Sequence, residues 1–113
     1  MISDALEQIL QDLYADARAR SYEMITLEQL LLALMEHSAE VQQTLEALHV
    51  DLDILSGQLA ASIRDNTPTL PKSLLDKTDT QPTLGFQRVM QRAIIHAQSV
   101  EKRQVRPLDV LVA

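Results

Sequence analysis

Leu6, Ile9, Leu10, Leu13 and Ala17 recur three and four residues apart, so a helix of 3.6 residues per turn gathers them on one stripe, with Tyr14 at its edge. The spacing predicts a first helix from about Ser3 to Arg20, in which Ser3 or Asp4 accepts from the free amides of the first turn. A second start lies at Thr26-Leu27-Glu28-Gln29, the spacing of a capping box, in which the Thr hydroxyl bonds the third amide and the Gln reaches back. The run Leu30 to Met35 has almost no polar side and predicts a helix enclosed by its neighbours. A short third helix turns Val41, Leu45 and Leu48 inward. Asp51 caps a fourth, whose Leu52, Leu55, Leu59 and Ile63 keep the helical period as far as Asn66.

Between Thr67 and Pro82 the periodicity stops, and Pro68, Pro71 and Pro82 punctuate a polar stretch that reads as a linker. A fifth helix begins near Thr83 with Phe86, Val89, Met90, Ala93, Ile94 and Ala97 inward, and ends before the charged turn Glu101-Lys102-Arg103. A sixth opens at Arg106-Pro107, where proline suits a first helical turn. Shifting the chain by 80 residues lays Leu6, Ile9, Leu10, Leu13, Tyr14 and Ala17 on Phe86, Val89, Met90, Ala93, Ile94 and Ala97, with no gap. Ile25 falls on Val105 and Leu30-Leu31-Leu32-Ala33 on Val110-Leu111-Val112-Ala113. Few identities accompany the match, but pattern and turn spacing agree, which points to an internal repeat. The expected organisation is unit one over 1–66, a linker over 67–82 and a partial unit two over 83–113. A second unit of equal length would need roughly 33 more residues, the counterparts of helices three and four. Helix six is therefore expected to be cut in mid-stripe.

Composition narrows the chemistry. With 113 residues, 46% hydrophobic but 3% aromatic, and with two Gly and four Pro, the chain has the make-up of one small all-α domain with an aliphatic core. It contains no Cys, which removes disulfides, thiolate zinc sites and cysteine nucleophiles. No apolar run approaches the ~20 residues of a membrane span, and the acidic start is not a secretory leader, so a cytoplasmic chain is expected. Sixteen acidic against ten basic residues give a net charge of −6, the wrong sign for binding nucleic acid through its phosphates.

Thr26-Leu27-Glu28-Gln29-Leu30-Leu31-Leu32-Ala33-Leu34 and, more specifically, Asp79-Thr80-Gln81-Pro82-Thr83-Leu84-Gly85-Phe86-Gln87-Arg88-Val89 resemble the amino-terminal domain of ClpA-like AAA+ unfoldases, the partners of the ClpP protease. The likeness covers the whole chain. It implies two repeats of four helices related by a pseudo-twofold axis and joined by an extended loop, the second repeat here truncated after the start of helix six. It further implies a docking domain, itself non-catalytic, tethered to a hexameric ATPase ring, which binds a ClpS-like adaptor and helps receive protein substrates. ATP and Mg would belong to downstream modules; this domain is expected to hold no cofactor. In that family the adaptor-facing surface uses acidic residues at the start of helix two and a threonine and arginines at the start of helix five, positions that match Glu23, Glu28, Thr83, Arg88 and Arg92.

Those residues also have readings of their own. Arg88 and Arg92, four apart and off the apolar stripe, can both reach a partner's carboxylates, or simply form a solvated face. Glu23 and Glu28 flank the Thr26 cap, where the positive end of the helix favours carboxylates without any partner. Thr83 serves equally as the fifth helix's cap. Ile95 falls on the side of Arg88 and Arg92, as an apolar anchor or as a contact for helices beyond this sequence. His37, His49 and His96 form no H-x-x-x-H pair. Some relatives carry a histidine-rich turn that takes up zinc, but this chain has Arg20, Tyr22 and Gln29 there, so no metal is expected. No phosphate-binding loop or nucleophile elbow is present. Two rival functions remain: a stand-alone repeat protein that binds and regulates a Clp ring or its adaptor, and a small helical enzyme, which would need titrating side chains converging in a cleft.

Overall fold

The computed structural model describes residues 2–69, 80–100 and 104–113. The interior of the expected linker, with Pro71, and the Glu101-Lys102-Arg103 turn lie outside the described residues. The elements follow as α1 (Asp4–Ala19), β1 (Met24–Ile25), α2 (Leu27–His37), α3 (Ala39–Ala47), α4 (Leu52–Asn66), β2 (Gln81–Pro82), α5 (Leu84–Ser99) and α6 (Pro107–Val112). The architecture is all-α, as expected, with two very short strands added.

Each long helix starts where a side-chain oxygen can take up an orphan amide. Ser3, Thr26, Ser38, Asp51 and Thr83 accept from the amides of Leu6, Gln29, Val41, Ile54 and Phe86. Helix α6 uses the reciprocal half of such a cap, the Asp109 carboxylate accepting from the Arg106 N–H at 2.9 Å. At α2 the Thr26 half of the expected capping box forms. Gln29, however, is buried and turned away from the cap, donating to the Met24 carbonyl at 3.2 Å and to Thr67 Oγ1 at 3.5 Å. That amide ties the start of α2 to the end of α4.

The stripes meet in one aliphatic core of Leu6, Ile9, Leu13, Ala17, Ile25, Leu30, Leu34, Val41, Phe86, Ala93, Val105 and Val110. The Leu30 to Met35 run is enclosed as expected, packed between α1, α3 and α4. Tyr14 meets Phe86 edge to face, with centroids 6.3 Å apart, which joins the two matched helices α1 and α5. Leu48 corrects the expectation for the third helix: it falls in the turn after α3 and is 68% exposed. The expected inward stripe of α4 is buried only at Ile63; Leu52, Leu55 and Leu59 pack against the core from its margin.

Both ends of the expected linker are built into the fold. Thr69 bridges Tyr22, and the Pro68 carbonyl accepts from the Glu23 N–H at 2.8 Å. On the far side β2 runs parallel to β1, pairing Met24 with Gln81 and Ile25 with Pro82, while buried Thr80 donates to the Tyr22 carbonyl at 2.7 Å.

The 80-residue relation reappears in the bonding. Thr83 N–H donates to the Ile25 carbonyl at 3.0 Å, and Ser3 N–H donates to the Val105 carbonyl at 2.9 Å. Adding 80 to Ser3 and Ile25 gives Thr83 and Val105, so each bond is the other with the two units exchanged. The Ile25 to Pro82 pairing likewise has its image in the parallel bridge from Ile2 to Val105. Units that trade partners in this way are related by a local twofold. In each, the residue preceding one helix cap is tied to the segment that follows the matched helix of the other unit. An ion pair of 3.5 Å between Glu40 and Arg106 also fastens α6 to α3.

Two stability outcomes follow. Thr80→Val removes the donor to the buried Tyr22 carbonyl, and urea unfolding should show a loss of about 1–2 kcal/mol. Ser21 sits in the left-handed region at φ 58°, just past α1. Ser21→Gly relieves that conformation and should raise the urea midpoint, by up to about 1 kcal/mol in stability.

Candidate functional site

The β1 and β2 pairing places the starts of α2 and α5 side by side, since Thr26 follows one strand and Thr83 the other. The approach is close at Gly85, where a Cβ would lie 3.2 Å from Leu27 Cδ1. Glu23, Glu28 and Thr83 gather along this edge. The Glu23 backbone is held on both sides, its N–H by Pro68 and its carbonyl by the Gln81 N–H at 3.2 Å, and its side chain is exposed. Glu28 is exposed in the first turn of α2, where the partial positive charge of the helix end favours a carboxylate. Thr83 is half-buried and fully engaged in structure, through its N–H to Ile25 and its Oγ1 to the Phe86 amide. Its capping reading holds.

Arg88 and Arg92 stand one and two turns further along α5, about 7 and 13 Å from the cap by helical rise. Both are exposed, and neither guanidinium meets a carboxylate among the described residues. Ile95, 64% exposed, lies on their side of the helix. The structure adds two residues that the sequence reading did not single out. Leu84 is 60% and Leu27 41% exposed, each the first residue after its cap; Leu84 is off its helix's apolar stripe, whereas Leu27 is in register with buried Leu30 and Leu34. That off-stripe position was the available signal for Leu84, and no pattern marked the exposure of Leu27. The resulting surface has carboxylates at the α2 edge, two arginines along α5, and apolar side chains around and between them. Such a surface can recognise a folded partner by shape, by charge and by displacing water from Leu27, Leu84 and Ile95. It places no nucleophile beside a base.

A cleft of about 540 Å³ lies elsewhere, among α1, α2 and α4. Leu13, Leu32, Ala33 and Ile63 contribute apolar surface to it, and Asp12, Asp16, Glu36, Arg20 and Arg64 contribute charge. Asp16 bonds Arg20 Nε through both carboxylate oxygens at 3.0 Å. That hydrogen bond and the charge of Asp16, with Tyr22 adding, raise the pKa of the guanidinium above its ordinary value. The cleft's strongest charge pair is thus satisfied internally. Among the described residues no three His, Asp or Glu side chains are grouped to hold a metal ion, and no helix is long and apolar enough to cross a membrane.

Gly85 offers a direct probe of the α2 and α5 contact. In Gly85→Ala the new methyl presses on the end of a flexible, partly exposed Leu27, which can yield, while alanine favours the helix. Thermal unfolding should show a small gain, a few tenths of a kcal/mol.

Comparison with known proteins fits this picture. The sequence matches the model of the Clp repeat (R) N-terminal domain family over residues 1–113. A ClpA homolog protein from Fuscovulum blasticum is 41% identical over 111 residues, which cover 98% of this chain and 14% of that protein. The chain thus spans a small fraction of the length of that relative.

Proposed function

This chain belongs to the Clp repeat N-terminal domain family, and from that premise we propose that it is the docking domain of a ClpA-type, ATP-dependent protein unfoldase. In this reading it receives a ClpS-like adaptor, and through it protein substrates, for a hexameric ring that works with the ClpP protease in the cytoplasm. The domain itself carries out no catalysis and takes no cofactor. ATP and Mg are bound by ATPase modules elsewhere in the full protein. The similarity to a ClpA homolog supports the assignment to that branch.

The observation that supports the docking role is that Arg88 and Arg92 have no acidic partner among the described residues and are exposed on a helix without a single acidic residue in a chain of net charge −6. Two exposed like charges contribute nothing to the core. They suit a partner that brings carboxylates. Glu23 and Glu28 at the neighbouring edge add charge of the other sign, which fixes the orientation of an incoming surface, and Thr83 holds the two edges together.

Titration of the chain with a ClpS-like adaptor tests the reading. Arg88→Glu or Arg92→Glu should each weaken binding about tenfold or more, equivalent to about 1.4 kcal/mol, with helical content and melting temperature unchanged. Glu28→Lys should weaken it by a smaller factor. Wild-type affinity in the arginine variants, or the absence of any adaptor binding by the folded chain, would overturn the assignment.

A further inference from the structure

The local twofold sets the outer face of α1 against that of α5 as versions of one surface with opposite chemistry. Leu84, Arg88, Arg92 and Ile95 are exposed on α5. On α1 the exposed outer face carries Ala5, Gln8 and Ala15, with exposed Asp12 where that face meets the rim of the cleft. The shift by 80 puts Asp12 where Arg92 stands and Ala15 where Ile95 stands. Helix α1 carries Asp4, Glu7, Asp12 and Asp16 against one Arg18, whereas α5 carries two arginines and no acid. We infer that the α5 face docks the α1 face of a second copy of this chain, the two helices antiparallel.

The register follows from matching bulk to space and charge to charge. With the helices antiparallel, Asp12 opposite Arg88 brings Gln8 opposite Arg92 and Ala5 opposite Ile95, and sets Ala15 within one residue of the level of Leu84. Both large exposed apolar side chains then settle over alanines, where the partner backbone can approach closely, and both arginines meet oxygen acceptors. Gln8 is prepared for this. Its Nε2 donates to Asp12 Oδ1 at 2.9 Å, which leaves its carbonyl oxygen to accept from Arg92 and holds the Asp12 carboxylate beside it. Asp12 has no cationic partner among the described residues. Other acidic surface lacks this combination: Asp16 is paired with Arg20, Glu40 with Arg106, and Asp65 with Arg64.

The contact is heterologous, one face giving and another receiving, and it is small, so the association is weak and salt-sensitive, with a Kd on the order of 0.1 mM at low ionic strength. Sedimentation equilibrium of the 113-residue chain at about 50 mM salt should show an average mass rising above the 12.7 kDa monomer as concentration approaches about 1 mM, and falling back at about 0.5 M salt. Arg88→Asp and Asp12→Arg should each weaken association about tenfold. Because each variant keeps the face that the other has lost, mixing the two should restore it, and so should the double variant Asp12→Arg with Arg88→Asp. Ile95→Ser should weaken association without changing helical content, since its side chain is exposed. A monomeric mass throughout, or single variants that associate as well as the native chain, would overturn the inference. So would a mixture no more associated than its components.

Discussion

Two backbone hydrogen bonds, from Thr83 to Ile25 and from Ser3 to Val105, hold the two halves of this molecule to one another. Each is formed by the amide of a helix-capping residue, whose side chain is already committed to its own first turn. The cap and the crossing therefore share one residue, and shifting either would leave orphan groups in the other. Ile25 and Val105, which supply the carbonyls, are almost fully buried, so these bonds are shielded from competing water. A core made almost entirely of aliphatic side chains has little directional preference of its own. The crossed bonds supply the direction.

The position of the proposed docking edge follows from that constraint. Because β2 pairs with β1 in a fixed register, α5 must begin beside α2, and Gly85 meets Leu27 at a distance that leaves no room for a larger residue without movement. Glu23, Glu28 and Thr83 share an edge because a two-residue strand on each side brings their chain segments together. Arg88 and Arg92 then project from the same helix whose start is fixed. The proposed recognition would rest on a firmly held attachment point and an otherwise exposed helix face, and preorganisation of that kind lowers the entropy cost of binding.

The helices were legible in the sequence because their evidence is redundant: apolar positions at intervals of three and four, and Ser, Thr or Asp at the starts of α1 to α5, mark the same boundaries twice. Thr26 with Gln29 shows the limit of such local signals. The hydroxyl caps as its spacing implies, while the amide is claimed by Met24 and by Thr67, a residue 38 positions away that no local pattern could point to. The strands were invisible for a related reason, since two residues cannot display an alternation of period two, and Pro82 argued for an interruption. Leu48 differs because the three-residue interval from Leu45 carries the stripe one residue past the helix's end, onto the C-cap. Glu23, Glu28, Thr83, Arg88 and Arg92 were reached through family resemblance, and spacing alone left each with a purely structural alternative. For Thr83 that alternative is realised. For the two arginines, the lack of an acidic partner among the described residues is a fact only coordinates could supply.

Net charge illustrates how an average can mislead about a surface. A chain of charge −6 has no global reason to attract anything acidic, yet α5 is wholly basic and its matched helix α1 is mostly acidic. Two helices derived from one pattern can keep the same inward residues, which the shared core demands, while their outward residues drift apart under no packing constraint. A repeat thereby acquires two unlike faces at no cost to its fold. If an adaptor and a second copy both address α5, they exclude one another, because each must cover the same two guanidinium groups. The local concentration of neighbouring domains would then set a threshold that an adaptor has to exceed, a form of regulation that needs no conformational change in the domain itself.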